Sequence, residues 1–263
     1  MTDTLFDLTG RRVLITGAGG ALGSVMARAF AERGAHVGVH DLSSERVAPI
    51  VEAIRVAGGE AEEVVGDVST AQGSADVVRQ GADAFGGLDV LVNGVGINRR
   101  KPIDEVTADD FDAIVSVNLR AIYFASQEAH RIMQPQGRGC IVNLSSLSAR
   151  FSFNTISVYA ATKAGVSSLT RSCAREWAAD GIRVNAIEPF VIKTEFTKPL
   201  WGEDHRQRWF DHITPIGRLG TPEDLIGSVV YLASDASSWV TGQTIVLDGG
   251  LTIGADWDAF KEM

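Results

Sequence analysis

The sequence predicts a single-domain α/β fold: a Rossmann-like, doubly wound parallel sheet of about seven strands with helices on both faces. Three observations predict it. Short, β-branched apolar runs alternate with amphipathic stretches of helical length along the whole chain. The strand runs are almost continuously apolar, as in parallel strands covered on both sides. A glycine-rich turn stands between the first strand run and the first helical stretch, where doubly wound folds bind phosphates.

The elements follow in order. Residues 12–15 (RVLI) read as the first strand, and a helix is expected over 21–33. A second strand over 35–40 runs into Asp41, and a helix over 44–57 follows. The third strand (61–65) precedes a helix over 71–85, and the fourth (88–92) leads through a loop to a long helix over 108–133. The fifth strand (140–144) precedes a helix over 158–180, and the sixth covers 183–187. Residues 190–220 form the longest irregular stretch and hold Phe196, Trp201, Trp209 and Phe210. A loop that long in a compact domain points to function, so a substrate lid is expected at about 190–220. A helix over 222–233 and a seventh strand over 244–247 complete the set. With no linker, repeat or charge run in between, residues 1–263 read as one dinucleotide-binding and catalytic domain.

Composition narrows the function classes. Hydrophobic residues make up 45% and charged residues 22%, a balance that supports a packed core rather than disorder. The net charge of -9 argues against a nucleic-acid partner, because the one dense basic run, Arg99-Arg100-Lys101, is too short to track a phosphate backbone. Cys140 and Cys173 read as buried, reduced thiols. The five histidines (His36, His40, His130, His205 and His212) lack ligand spacing, so no metal is expected and they read as structural or exposed. The N-terminus lacks a signal-peptide pattern, and no apolar run approaches the ~20 residues of a membrane helix. A cytoplasmic protein without membrane partners is expected.

Two constellations carry chemistry. Thr16-Gly17-Ala18-Gly19-Gly20-Ala21-Leu22-Gly23 joins the first strand to the first helix, and its glycines let a pyrophosphate approach backbone N–H groups. Asp41, at the end of the second strand, stands where an acidic residue bonds ribose hydroxyls and repels a 2′-phosphate, which favours NAD. Arg46 lies close enough in sequence to contact that phosphate, which leaves NADP open; a competing role for Asp41 is capping the next helix, which Ser43 could do instead. Tyr159 and Lys163, at i and i+4, share one helix face. A free phenol ionises near pH ~10, and a neighbouring ammonium moves it toward the working range of a general acid or base.

Taken with its other motifs, the chain resembles the short-chain dehydrogenase/reductase family along nearly its whole length. Thr16, Gly17 and Gly23 match the family's phosphate turn, with Ala21 in place of its middle glycine. Asp67 in Gly66-Asp67-Val68 matches its adenine-side aspartate. Asn93-Gly94-Val95-Gly96 stands for its Asn-Asn-Ala-Gly, and Asn118 for its helix asparagine. Ser146 lies thirteen residues before Tyr159, as in the family. Asn185 and Pro189 match a later segment in which Phe190 replaces glycine, and Gln243, Asp248, Gly249 and Gly250 match the closing motif.

The resemblance implies a catalytic set of Asn118, Ser146, Tyr159 and Lys163. Tyr159 would exchange the proton, Lys163 would lower its pKa and bond the nicotinamide ribose, Ser146 would hold the substrate oxygen, and Asn118 would hold a relay water. It implies a cofactor site in which Gly17, Gly19, Gly20 and Leu22 take the pyrophosphate and Asp41, Asp67 and Val68 the adenosine half. Asn93, Gly94, Tyr159, Lys163, Pro189, Val191, Ile192 and Thr194 would complete that cofactor site. It also implies a homotetramer built through the long helices at 108–133 and 158–180.

Within the family the chain is most similar to the gluconate 5-dehydrogenase and 2-deoxy-D-gluconate 3-dehydrogenase group, through residues 96–102, 194–201 and 214–218. The expected reaction is hydride transfer between nicotinamide and a secondary alcohol or ketone, the substrate being a sugar acid or polyol. Arg99 or Arg100 would hold its carboxylate beside Ser146 and Tyr159. Arg150, Asn154 and Lys193 are further polar candidates for the pocket, whereas Phe151, Phe153 and Phe190 would favour an apolar substrate. A 3-oxoacyl carrier-protein reductase, a hydroxysteroid-type dehydrogenase and a catalytically idle dinucleotide sensor remain as alternatives. All four catalytic positions are present, which argues against the sensor.

Overall fold

A computed structural model describes residues 5–254 of the chain. Seven parallel strands form one sheet in the order β3-β2-β1-β4-β5-β6-β7. They are β1 (Arg12–Thr16), β2 (His36–Asp41), β3 (Glu60–Val65), β4 (Val90–Asn93), β5 (Gly139–Leu144), β6 (Ile182–Pro189) and β7 (Thr244–Leu247). Helices α1 (Ala21–Ala31), α2 (Ser44–Val56) and α3 (Ala71–Phe85) follow the first three strands. α4 (Ala108–Val115) and α5 (Ala121–Met133) follow β4, and α6 (Ser157–Trp177) follows β5. Beyond β6 come α7 (Lys198–Trp201), α8 (Asp204–Ile213) and α9 (Ile226–Ala233).

The apolar strands bury both faces, and alternate residues serve opposite cores. Val13, Ile15, Val37, Val39, Val90 and Val92 pack with Phe30 of α1 and with apolar residues of α2 and α9. Leu14, Leu91 and Ile141 point the other way, into a cluster with Val77 and Val78 of α3, Ala125 of α5 and Cys173 of α6. This makes the sheet doubly wound. The edges differ from the centre: β3 buries only Ala61 and Val64, and all four residues of β7 are half-buried.

Two elements depart from the expected ones. The helix expected over 108–133 is interrupted by a π turn at Ser116–Arg120, an insertion that often marks functional sites. The stretch expected to be irregular holds α7 and the ten-residue α8. The strand order reverses between β1 and β4, so the crevice where ligands bind in such sheets opens at the carboxyl ends of these two strands.

Candidate active site

A cleft of about 790 Å³ opens at that switch point. One wall is the turn between β1 and α1. The Thr16 hydroxyl accepts a hydrogen bond from Gly94 N at 3.1 Å, which ties the loop after β4 to the end of β1. Gly17 has φ +72°, and a Cβ there would lie 3.1 Å from Val95 Cα. At Gly23 a Cβ would meet Gly17 O at 2.5 Å and Ala18 Cα at 2.6 Å, so the helix can begin directly on the turn only with glycine there. Gly20 caps α1 without a side-chain bond, and Gly20, Ala21 and Leu22 line the cleft. The N-terminus of an eleven-residue helix is thereby presented to a ligand, with its partial positive charge.

The far end of the cleft is acidic. Asp41, 6% exposed, accepts from Leu42 N at 2.8 Å and pairs with Arg46 Nε at 3.2 Å. Ser43 is the N-cap of α2 but makes no side-chain cap bond. A Cβ at Gly19 would lie 2.7 Å from Asp41 Oδ2, so Gly19 backs the carboxylate and does not line the cleft. Asp67 accepts from both Ser69 N and the Ser69 hydroxyl, and it lines the cleft with Val68.

His40, expected among the structural or exposed histidines, also lines the cleft. Its Nδ1 accepts from Gly17 N at 3.4 Å and its Nε2 lies 3.1 Å from Gly66 O. Burial pushes its pKa below the usual histidine value, which suits a neutral ring that accepts at one nitrogen and donates at the other.

Ser146, Tyr159 and Lys163 line the opposite end, and Asn118 is buried beside them, outside the lining residues. The π turn carries Asn118, which is fully buried; its amide accepts from Ile97 N at 2.8 Å and donates to Ile97 O at 2.9 Å. Tyr159 and Lys163 lie one turn apart on α6, with Nζ 5.6 Å from the phenol ring centre. Lys163 Nζ donates to Leu144 O at 2.7 Å, and burial pushes its ammonium down to about 8. Burial holds the Tyr159 phenol above its ordinary value; the hydrogen bond with Ser146 and the charge of Arg100 act the other way, favouring phenolate. At Gly96 a Cβ would sit 3.6 Å from Lys163 Nζ and 3.7 Å from Asn118 Oδ1, so the floor beside these groups is left bare for a ligand.

The remaining expected residues divide. Gly94, Pro189, Ile192 and Thr194 line the cleft, whereas Asn93 and Val191 do not. Asn93 is buried beneath it, its amide donating to Asn143 Oδ1 and Ser126 Oγ. Arg99 and Arg100 also stand outside the lining residues. Arg99 is held by Asp110 at 3.2 Å, and Lys101 takes the other oxygen of that carboxylate at 2.5 Å. The charge of Arg100 acts on Tyr159, favouring phenolate, and burial lowers the Arg100 pKa. Phe190 lines the cleft, stacked on Phe153 at 6.0 Å and edge-on to Phe210 at 5.7 Å. Glu188, a carboxylate inside the apolar sixth strand that the motifs left unremarked, lies just behind this wall and is 1% exposed.

The cleft fits a dinucleotide. A helix N-terminus, which could hold phosphates, stands between an acidic end and a bare floor beside Tyr159 and Lys163. Fold and site together define an NAD(P)-dependent oxidoreductase acting on CH–OH or keto groups. The family described as Enoyl-(Acyl carrier protein) reductase matches residues 17–252. Gluconate 5-dehydrogenase of Gluconobacter oxydans is 36% identical over 249 residues, covering 95% of this chain and 97% of that protein. A 3-oxoacyl-[acyl-carrier-protein] reductase of Chlamydia pneumoniae is 37% identical over 245 residues, covering 93% and 98%. The crystal structure of a gluconate 5-dehydrogenase from Burkholderia cenocepacia, in complex with NADP and tartrate, aligns with a TM-score of 0.92 at 36% identity over 96% of this chain and 99% of that one. The chain belongs to the short-chain dehydrogenase/reductase family.

Proposed function

We propose that this enzyme interconverts a polyhydroxylated acid of the gluconate type and its keto form, with Tyr159 as the proton-transfer residue. The observation that carries the reading is one juxtaposition. Ser146, Tyr159 and Lys163 line one end of the cleft with Lys163 Nζ 5.6 Å from the phenol ring centre, and the charge of Arg100 acts on the same phenol, favouring phenolate. A cation beside the proton-transfer group suits a substrate that carries a carboxylate near its reacting carbon.

A bound nicotinamide supplies the hydride acceptor or donor. The chain supplies the rest. In oxidation Tyr159 takes the alcohol proton as phenolate, and in reduction it gives its proton to the carbonyl oxygen. Ser146 holds that oxygen, where charge develops. The Lys163 ammonium favours the phenolate in either direction. Asn118 fixes the Ile97 peptide beside Lys163 and holds the relay water. The turn at residues 17–22 takes the pyrophosphate, and Asp41 takes the adenosine ribose. Asp41 makes NAD the preferred cofactor, while Arg46, half-exposed on the same carboxylate, can turn to a 2′-phosphate and so lets NADP bind.

Residues 190–220, with α7 and α8, act as the substrate lid. Exposed Phe111 on α4 and Tyr123 on α5 support assembly as a homotetramer through these helices. Among the described residues no helix is long and apolar enough to cross a membrane, and a cytoplasmic location belongs to the same reading.

A panel of D-gluconate, 5-keto-D-gluconate, uncharged polyols and acetoacetyl-CoA, followed by nicotinamide absorbance, tests this. Turnover of the sugar acids is expected, and Arg100→Ala should raise their KM about tenfold while leaving that of an uncharged polyol within a factor of ~2. Turnover of acetoacetyl-CoA alone would move the substrate to an acyl thioester, a class for which the apolar wall of Phe151, Phe153 and Phe190 is suited.

A further inference from the structure

Glu188 is the penultimate residue of β6, followed by Pro189 and Phe190 at the cleft. Its carboxylate is buried, and burying a charge is costly unless it is paired and hydrogen-bonded. Two partners meet it. Ser167, one turn past Lys163 on α6, donates to Oε1 at 2.7 Å. Arg150 Nε lies 2.5 Å from Oε2 as an ion pair without hydrogen-bond geometry, so the guanidinium charge is what compensates that oxygen.

Each partner leads back to a residue of the reaction. With the Ser167 proton directed at Glu188, the Ser145 hydroxyl is the donor either to Ser167 Oγ at 2.8 Å or to Lys163 O at 2.9 Å, and Ser145 neighbours Ser146. Arg150 ends the short turn Leu147–Ala149, and Ser146 caps the start of that turn by accepting from Ser148 N at 3.2 Å. Three residues further on, Phe153 stacks on Phe190. The segment between Ser146 and Tyr159 is thus laced to the end of β6 twice, by an ion pair and by an aromatic pair.

We propose that the Arg150–Glu188 pair is a positioning device for proton transfer. It fastens the segment bearing Ser146 to β6 and, through Ser167, to the helix bearing Tyr159 and Lys163. Arg150 is therefore engaged by the protein, and its contribution to the substrate is indirect. A small misplacement between Ser146 and Tyr159 costs turnover far more than it costs dinucleotide binding, because the pyrophosphate end of the cleft is built from other segments.

The inference rests on the reading of Ser146, Tyr159 and Lys163 as the proton-transfer set, so Tyr159→Phe is the control. Four variants are compared with the wild type: Arg150→Gln, Glu188→Gln, the double Arg150→Gln/Glu188→Gln, and Arg150→Lys. The readouts are kcat with D-gluconate (or the best compound of the panel), NADPH affinity by fluorescence, and hydrogen exchange over residues 147–156.

Arg150→Gln leaves the carboxylate unpaired. It should lower kcat by about 10–100-fold, keep the NADPH Kd within a factor of ~3, and speed exchange over 147–156. The double variant, with two neutral amides, should recover to within a factor of ~5 of wild type. Arg150→Lys keeps the charge, should fall between, and serves where Arg150→Gln does not fold. Wild-type kcat and exchange in Arg150→Gln, or a double variant no better than the single, overturns the positioning role. An active Tyr159→Phe instead overturns the underlying assignment and leaves the exchange result standing on its own.

Discussion

Asp41 and Arg46 hold one carboxylate–guanidinium pair at one end of the cleft, and in the proposed reading the two side chains act oppositely on a 2′-phosphate. Asp41→Ala removes the repulsion and frees Arg46. It should raise kcat/KM with NADP by about tenfold relative to NAD, measured on one substrate. Arg46→Ala should move the ratio the other way. Lys163 gives a pH dependence. In the proposed reading reduction needs Tyr159 with its proton and Lys163 with its charge, and burial brings Lys163 to about 8. The ammonium is complete well below that value and is lost as pH rises through it. kcat/KM for carbonyl reduction should therefore decline above about pH 8, read from a pH–rate profile. At this scale the sequence was legible where residue type and spacing were jointly specific, as for Tyr159, Lys163 and Ser146. Glu188 and His40 were not legible. A glutamate in an apolar strand and a histidine before an aspartate gain meaning only from partners distant in sequence, Arg150 and Gly17.

The elements that frame the site differ in how openly the sequence declared them. Strands and paired helices announced themselves through apolar runs and amphipathic period. The π turn at Ser116–Arg120 did not, because one extra residue per turn leaves the apolar pattern of a long helix nearly unchanged. α8, with the sequence DHRQRWFDHI, was also hidden: Phe210 is its one buried residue, so no apolar stripe marks it. Phe210 meets Phe190 and Trp209, and Phe190 continues the ladder to Phe153 and Phe151. This ladder joins α8 to the loop after β5 along the wall of the cleft that Phe190 lines. Phe190→Gly, the residue the family resemblance leads one to expect, should break it. Hydrogen exchange over residues 190–220 should then speed up in the free enzyme, and KM for the substrate should rise. In the wild-type protein the same segment should gain protection when cofactor and a substrate analogue are added. Equal exchange with and without ligand would contradict a lid.

At the scale of the molecule, the doubly wound sheet brings together groups that no local segment contains. The phosphate turn comes from the first strand–helix unit, Asn118 from the helix after β4, Ser146 from the end of β5, and Tyr159 and Lys163 from α6. The sheet itself was legible because its central strands are apolar on both faces. Phe30, with no exposed surface between α1 and the sheet, shows how tightly that core is filled. Phe30→Ala should lower unfolding free energy by about 3–5 kcal/mol in denaturant titration without altering the cleft's chemistry. The central claim is that this whole arrangement serves hydride transfer with Tyr159 moving the proton. The most direct measurement is the rate of NAD(P)H formation and consumption for wild type and Tyr159→Phe on the same substrate, with NADPH binding measured in parallel. The account predicts unchanged binding and a kcat lower by about 10²–10⁴-fold in the variant. Near-wild-type turnover in Tyr159→Phe would contradict it.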